Sequence, residues 1–138
     1  MEALVKWLGK GTAFEGTTPE GHKFILAGPP ALNDGENLGP RPIEMLLHCA
    51  AACTSVDAII MLKARGAEIV DYEVQVEAER GTVAPKPIEK MHLTYNIKGR
   101  NLTPEMVNEV LDISFKVESG VVNTYNTNVS WSFNIIEA

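Results

Sequence analysis

Apolar and polar positions change their period several times along the chain. In the N-terminal third, short apolar runs alternate with turns: ALVKWLG (3–9), GTAFEG (11–16) and HKFILAG (22–28), separated by Gly-Lys-Gly and by TTPEG. Glycine punctuation at this spacing predicts a meander of short antiparallel strands. The stretch GPPALNDGENLGP, Gly28–Pro40, is a loop by composition, and loops of this length in compact domains are usually functional or mobile. At Arg41 the pattern changes. From Pro42 to about Arg65 there is no internal glycine or proline, alanine is abundant, and Gly66 follows the basic end Lys63–Arg65, so a helix is expected. Met45, Cys49, Ala52, Cys53, Val56 and Ile60 share one stripe of it, while Leu46, Leu47, Ala50, Ala51 and Ile59 cover much of the rest. A helix apolar nearly all round is buried nearly all round.

Period two follows in EIVDYEVQVEAE (68–79) and KMHLTYNIK (90–98), both read as strands, with Tyr72, Val74, Val76 and Ala78 facing the core. The intervening GTVAPKP is a turn, since proline cannot donate to a ladder. Thr103-Pro104-Glu105 supplies an N-cap with proline at N1 and opens a second helix through about Val117, with Met106, Val110, Ile113 and Val117 as its buried stripe. After the irregular ESGVVNTYNT (118–127), VSWSFNII (129–136) is a last strand. The order β-β-β-α-β-β-α-β describes an α+β fold with a mainly antiparallel sheet, in a single domain over residues 1–138. Such a short chain has little protein to wrap around a fully apolar helix, and a dimer burying it between subunits is the simplest remedy.

Composition narrows the function. A net charge of −6 with no cluster of Lys and Arg disfavours nucleic acid, because phosphate binding needs clustered cations to displace counterions. The N-terminus lacks a secretory pattern, and the longest apolar stretch, broken by His48 and Asp57, reads as too short for a bilayer. A cytoplasmic protein is expected. Two cysteines four residues apart are no secreted disulfide framework, and a reducing compartment suits free thiols.

Both thiols, Cys49 and Cys53, fall inside LLHCAAACTSVDAIIML (46–62). Cys53 is on one reading a small buried hydrophobe and on the other a nucleophile, and reactivity requires a nearby cation, a helix N-terminus or a base. It lies about three turns into the helix, too far for the dipole to help much. Asp57, one turn on, repels a thiolate unless a cation neutralises it, and Arg41 and Arg80 are the candidate cations. Otherwise Asp57 is a buried carboxylate paired with an arginine or with backbone donors. A disulfide between Cys49 and Cys53 is disfavoured in an intact helix, where four-residue spacing leaves Cβ atoms roughly 6 Å apart against the ~3.8 Å required. His22, His48 and His92 give no metal-ligand spacing with the cysteines, so neither a metal nor a cofactor is expected. His48 is read as a surface residue of the helix, with general base to a thiol as its other reading.

The segment RPIEMLLHCAAACTSVDAIIMLKARG resembles the central helix of the OsmC/Ohr family, the osmotically inducible and organic hydroperoxide resistance proteins, and within it the YhfA-like branch. Pro42, Glu44, Cys53, Thr54 and Val56-Asp57 carry the likeness, with VKW, VDYEVQVEAER, APKPIEKMHLTYNIKGRNL and LDIS elsewhere in the same order. The resemblance implies an intertwined homodimer, its sheets wrapped around long buried central helices. It also implies a peroxidatic cysteine that becomes a sulfenic acid, a second cysteine that condenses with it to a disulfide, and an external dithiol or lipoylated partner as reductant. Carried over by position, Cys53 is the peroxidatic cysteine, and Cys49 stands where the family usually has a small residue. The second cysteine is where the chain departs: aligned without a gap from Ile113-Ser114, Ser119 stands in its place, or Glu118 after a one-residue shift. The activating Glu of the Ohr branch falls on Ile43, whereas Glu44 matches the YhfA-like spacing.

Two functions follow from the resemblance. One is a one-cysteine thiol peroxidase acting on organic hydroperoxides, with Cys53 as nucleophile and an external thiol, or Cys49 after local unwinding, resolving the sulfenic acid. The other is a non-catalytic dimer whose pocket binds a small apolar ligand. The lost thiol and the acidic neighbours Asp57 and Glu118 motivate the second, and the family's role puts the first ahead.

Overall fold

Proline at position 42 and glycine at 66 bound the longest element of the computed structural model, which describes residues 1–138. Helix α1 runs Pro42–Ala64, and Gly66 follows in the left-handed region at φ 88°. Before it come β1 (Leu4–Trp7), β2 (Ala13–Thr17) and β3 (Lys23–Ala27). After it come β4 (Glu68–Arg80), β5 (Ile88–Arg100), α2 (Pro104–Ile113), a single π-helical turn at Ser114–Glu118, α3 (Gly120–Thr124) and β6 (Asn128–Glu137). The chain divides into two compact units, Met1–Leu46 and Leu47–Ala138.

In the first unit, β1, β2 and β3 form an antiparallel meander with Trp7 opposite Phe14 and Ala13 opposite Ala27. The loop after β3 is pinned. Asn33, 3% exposed, accepts hydrogen bonds at its Oδ1 from Thr12 N (2.6 Å) and Thr12 Oγ1 (3.0 Å), and its Nδ2 donates to the Gly28 and Pro29 carbonyls. Gly11 permits this clasp, because at φ 50° a Cβ there would stand 2.1 Å from Asn33 Oδ1. Leu4, Val5, Trp7, Phe24 and Ile25 are all exposed.

In the second unit, β4-β5-β6 form one sheet with cross-strand rows Val74–Tyr95–Phe133 and Val76–Leu93–Trp131 on its apolar face. The opposite face is polar: Asn96 donates to Glu73 and accepts from Asn134, and the two ring nitrogens of His92 meet the Ser130 and Ser132 hydroxyls. Period two in these strands reflects this two-sidedness. Ala78 keeps its place opposite Met91 but is exposed at the end of the apolar row. β6 pairs parallel to β5, a geometry reached because residues 101–127 supply the crossover that parallel strands require.

Three expectations are corrected. Within the chain α1 buries only Ala50, Thr54, Ala58 and Leu62, a narrow stripe, while Cys49, Val56 and Ile60 of the expected stripe are exposed. Four-residue steps put Ala50, Thr54, Ala58 and Leu62 on one line along the helix, while Leu46, Val56 and Ile60 are exposed. Second, the helix after Thr103 buries Val107, Val110 and Leu111 and leaves Val117 exposed, because the π turn rotates the helix face after Ile113. The segment 120–124, read as irregular, is a short helix capped by Ser119. Third, α1 is long and apolar enough by length and composition to cross a membrane, since the helix continues past His48 and Asp57 to Ala64.

Candidate functional site

Cys53 sits half-buried on α1, and its hydrogen-bond partner comes from the crossover between β5 and β6. Thr103 caps α2 by accepting from Met106 N, Pro104 occupies N1, and the helix then widens into the π turn at Ser114. That turn brings Ser119 against α1: its hydroxyl donates to Cys53 Sγ at 3.4 Å. Ser119 is 1% exposed and held at every polar group. Its N–H donates to Ser114 O (2.8 Å), its carbonyl accepts from Asn123 Nδ2 (2.7 Å), and its hydroxyl oxygen accepts from Val122 N (3.5 Å). Asn123 Nδ2 also reaches Phe115 O, tying the π turn to α3.

A buried polar network fixes α1 next to the thiol. The Thr54 hydroxyl stands 2.5 Å from Tyr95 OH and donates to Ala50 O (2.8 Å), while Ser114 Oγ donates to Thr54 O (3.0 Å). Thr54, Tyr95 and Ser114 are all fully buried. Tyr95 lies edge-on to Tyr72 and Phe115, and Phe115 stacks on Trp131. Burial pushes the Tyr95 phenol well above its ordinary value, partly offset by the Thr54 hydrogen bond. Tyr125 is also raised, first by burial and then by its Coulombic interaction with Cys49 and Cys53.

The other expected site residues are distributed differently. Asp57 is half-buried one turn after Cys53 and pairs with no cation within the chain. Arg80 donates from Nε to Lys86 O (3.0 Å) in the β4–β5 turn. Arg41 belongs to the first unit, where its guanidinium donates to Gly39 O and to Asn37 Oδ1. Glu44 Oε2 accepts from Arg41 N at 3.4 Å at the start of α1. Cys49 is exposed, a turn before Cys53, and both thiols are free. His48 is exposed on a different wall, that of a cleft of about 460 Å³ between α1 and β4. Leu47, Ala51, Ser55, Tyr72, Val74 and Val76 line this cleft; Cys53 does not. The Tyr72 hydroxyl is buried there without a hydrogen-bond partner, and burial pushes Tyr72 up to about 12, with Ser55 pulling the other way.

Asn123, Tyr125 and the Thr54–Tyr95–Ser114 network have no local signature. Only Thr54, a polar residue at mid-helix among alanines, carried a hint.

A long apolar helix beside a three-stranded sheet, with one thiol met by a buried hydroxyl from the crossover, defines an α+β protein organised around a central-helix cysteine. That organisation has a family. The chain belongs to the OsmC-like proteins, whose model matches residues 34–134. It is 29% identical over its full length to the whole of protein YhfA of Escherichia coli K12. In structure it is similar to an OsmC-like protein of unknown function from Vibrio cholerae, with TM-score 0.82 and 12% identity over 96% of this chain and 97% of that one. It is also similar to an organic hydroperoxide resistance protein from Elizabethkingia anophelis, with TM-score 0.68 and 16% identity over 99% and 94% of the two chains. At these identities the structural likeness is one of fold.

Proposed function

We propose that this protein is a homodimeric, one-cysteine peroxidase that reduces organic hydroperoxides through Cys53 and so protects against oxidative stress in the cytoplasm. One observation carries the reading: in an OsmC-like chain, the half-buried Cys53 sulfur accepts a hydrogen bond from a buried hydroxyl at the crossover. The hydroperoxide resistance proteins of Elizabethkingia anophelis and Bacillus subtilis, similar in fold, supply the substrate class. The exposed Val56 and Ile60 of α1 and the exposed apolar side chains of β1 and β3 favour association, since large apolar patches are seldom left to water.

The chemistry balances with a thiol reductant. The Cys53 thiolate attacks one oxygen of ROOH, the O–O bond breaks, and the alcohol leaves with a proton, giving a sulfenic acid on Cys53. One thiol of an external dithiol, free or lipoyl, attacks this sulfur and releases water. The second thiol then displaces Cys53 as a thiol and leaves the reductant as its disulfide. Ser119 cannot form a disulfide, so the resolving thiol comes from outside.

A second reading rests on the apolar cleft between α1 and β4, which Cys53 does not line: a non-catalytic dimer binding a small apolar ligand. Peroxide loss separates the two. With a dithiol present, the protein should consume cumene hydroperoxide faster than hydrogen peroxide, and Cys53→Ser should abolish both. Turnover equal to that of Cys53→Ser refutes the peroxidase.

A further inference from the structure

If Ser119 were only a relic of a lost thiol, its hydroxyl would need to do no more than cap α3. Its surroundings give it a second task. The hydroxyl oxygen already accepts from Val122 N, and the backbone on either side is fixed by Ser114 O and Asn123 Nδ2. With the residue 1% exposed and the lone pair committed to the cap, the hydroxyl hydrogen is directed at Cys53 Sγ, 3.4 Å away.

Cations and dipoles that would stabilise a thiolate are scarce within the unit that holds Cys53, where the Tyr125 hydroxyl is a further polar group in Coulombic interaction with the thiols. Arg80 is engaged by Lys86 O in the β4–β5 turn. Asp57, unpaired within the chain and one turn away, opposes a negative sulfur. The N-terminus of α1 is about three turns distant, beyond the reach of its dipole. Hydrogen bonds to a charged acceptor are roughly twice as strong as those between neutral groups, so a fixed hydroxyl favours thiolate over thiol.

We infer that Ser119 is a positioning residue for Cys53: its hydroxyl, oriented by the α3 cap and by Asn123, donates to the sulfur and stabilises the thiolate. The inference rests on the reading of Cys53 as the reacting thiol, but its test does not require peroxide. Iodoacetamide alkylation of Cys53 is measured as a function of pH in a Cys49→Ser background, where Cys53 is the remaining thiol. Ser119→Gly is the informative variant, because glycine caps a helix nearly as well as serine but carries no hydroxyl. Alkylation at neutral pH should slow about tenfold, a factor equivalent to about 1.4 kcal/mol, and its pH profile should move to higher pH with circular dichroism unchanged. A rate within twofold of the parent, with the same profile, overturns the inference.

A second variant tests the placement without relying on reactivity. Ser119→Cys in the same background, treated with diamide, should form an intramolecular disulfide with Cys53, because the present Oγ–Sγ distance of 3.4 Å needs only a small side-chain adjustment. Absence of that disulfide in the folded protein also overturns the inference. Slowed alkylation in Ser119→Gly together with no peroxide consumption by the parent refutes the peroxidase and leaves the role of Ser119 standing.

Discussion

The contact between Thr54 and Tyr95 fixes α1 one residue from the thiol, and it should respond asymmetrically to mutation. Tyr95 is fully buried, and its hydroxyl stands 2.5 Å from Thr54 Oγ1, whose own hydrogen serves Ala50 O. Tyr95→Phe removes the phenolic donor and leaves Thr54 with its backbone acceptor, so the loss is one net hydrogen bond, about 1 kcal/mol. The ring contacts with Tyr72 and Phe115 are retained. Thr54→Val removes the acceptor and strands the Tyr95 hydroxyl in a dry site. To the lost bond it adds the desolvation of an unsatisfied group, for a total of about 2–3 kcal/mol. In the double variant no orphan remains, so the cost returns to about 1 kcal/mol and the coupling is about 2–3 kcal/mol. Urea unfolding of the four proteins, at one protein concentration and with m-values unchanged, measures each term. The reasoning is refuted if Thr54→Val costs no more than Tyr95→Phe, or if the two add.

Three further outcomes follow from other parts of the molecule. Tyr72 and Tyr95 are both raised above the ordinary tyrosine value by burial, Tyr72 to about 12. Between pH 10 and 12 the unfolded state has therefore lost protons that the native state keeps. Stability should be flat below pH 10 and fall above it by about 1 kcal/mol per pH unit for each tyrosine, a slope that Tyr72→Phe reduces. Asn33→Ala unclasps the loop after β3, leaving Thr12 N without its acceptor, and should cost about 2–3 kcal/mol in urea unfolding with faster hydrogen exchange over residues 28–40. Val56→Glu/Ile60→Glu places charges on the exposed apolar side of α1, and sedimentation velocity should show a dimer for the parent and a monomer for the variant.

Much of the architecture was legible because period and punctuation agree locally. Proline 42 and glycine 66 bracket α1, alternation marks β4 and β5, and Thr103-Pro104 caps α2 where expected. What failed was orientation. An apolar helix without a polar face does not reveal which stripe is inward, and within the chain that stripe is Ala50, Thr54, Ala58 and Leu62. The π turn was equally hidden, since one extra residue in a helix leaves no compositional trace. Yet that turn determines where Ser119 lies. The pairing of Cys53 with position 119 was accessible only through the family resemblance, and the geometry places Ser119, not Glu118, at the sulfur. Arg41 and Arg80 were candidates by charge alone; within the chain the first donates to Gly39 O and Asn37 Oδ1, and the second donates from Nε to Lys86 O.

The proposed function makes Cys53 a peroxidatic thiol resolved from outside the chain. Intact-mass analysis after one equivalent of cumene hydroperoxide, without reductant and in the presence of dimedone, tests this most directly. The account predicts a single dimedone adduct on Cys53, formed as completely in Cys49→Ser as in the parent. An unmodified Cys53, or a Cys49–Cys53 disulfide in place of the adduct, would contradict it.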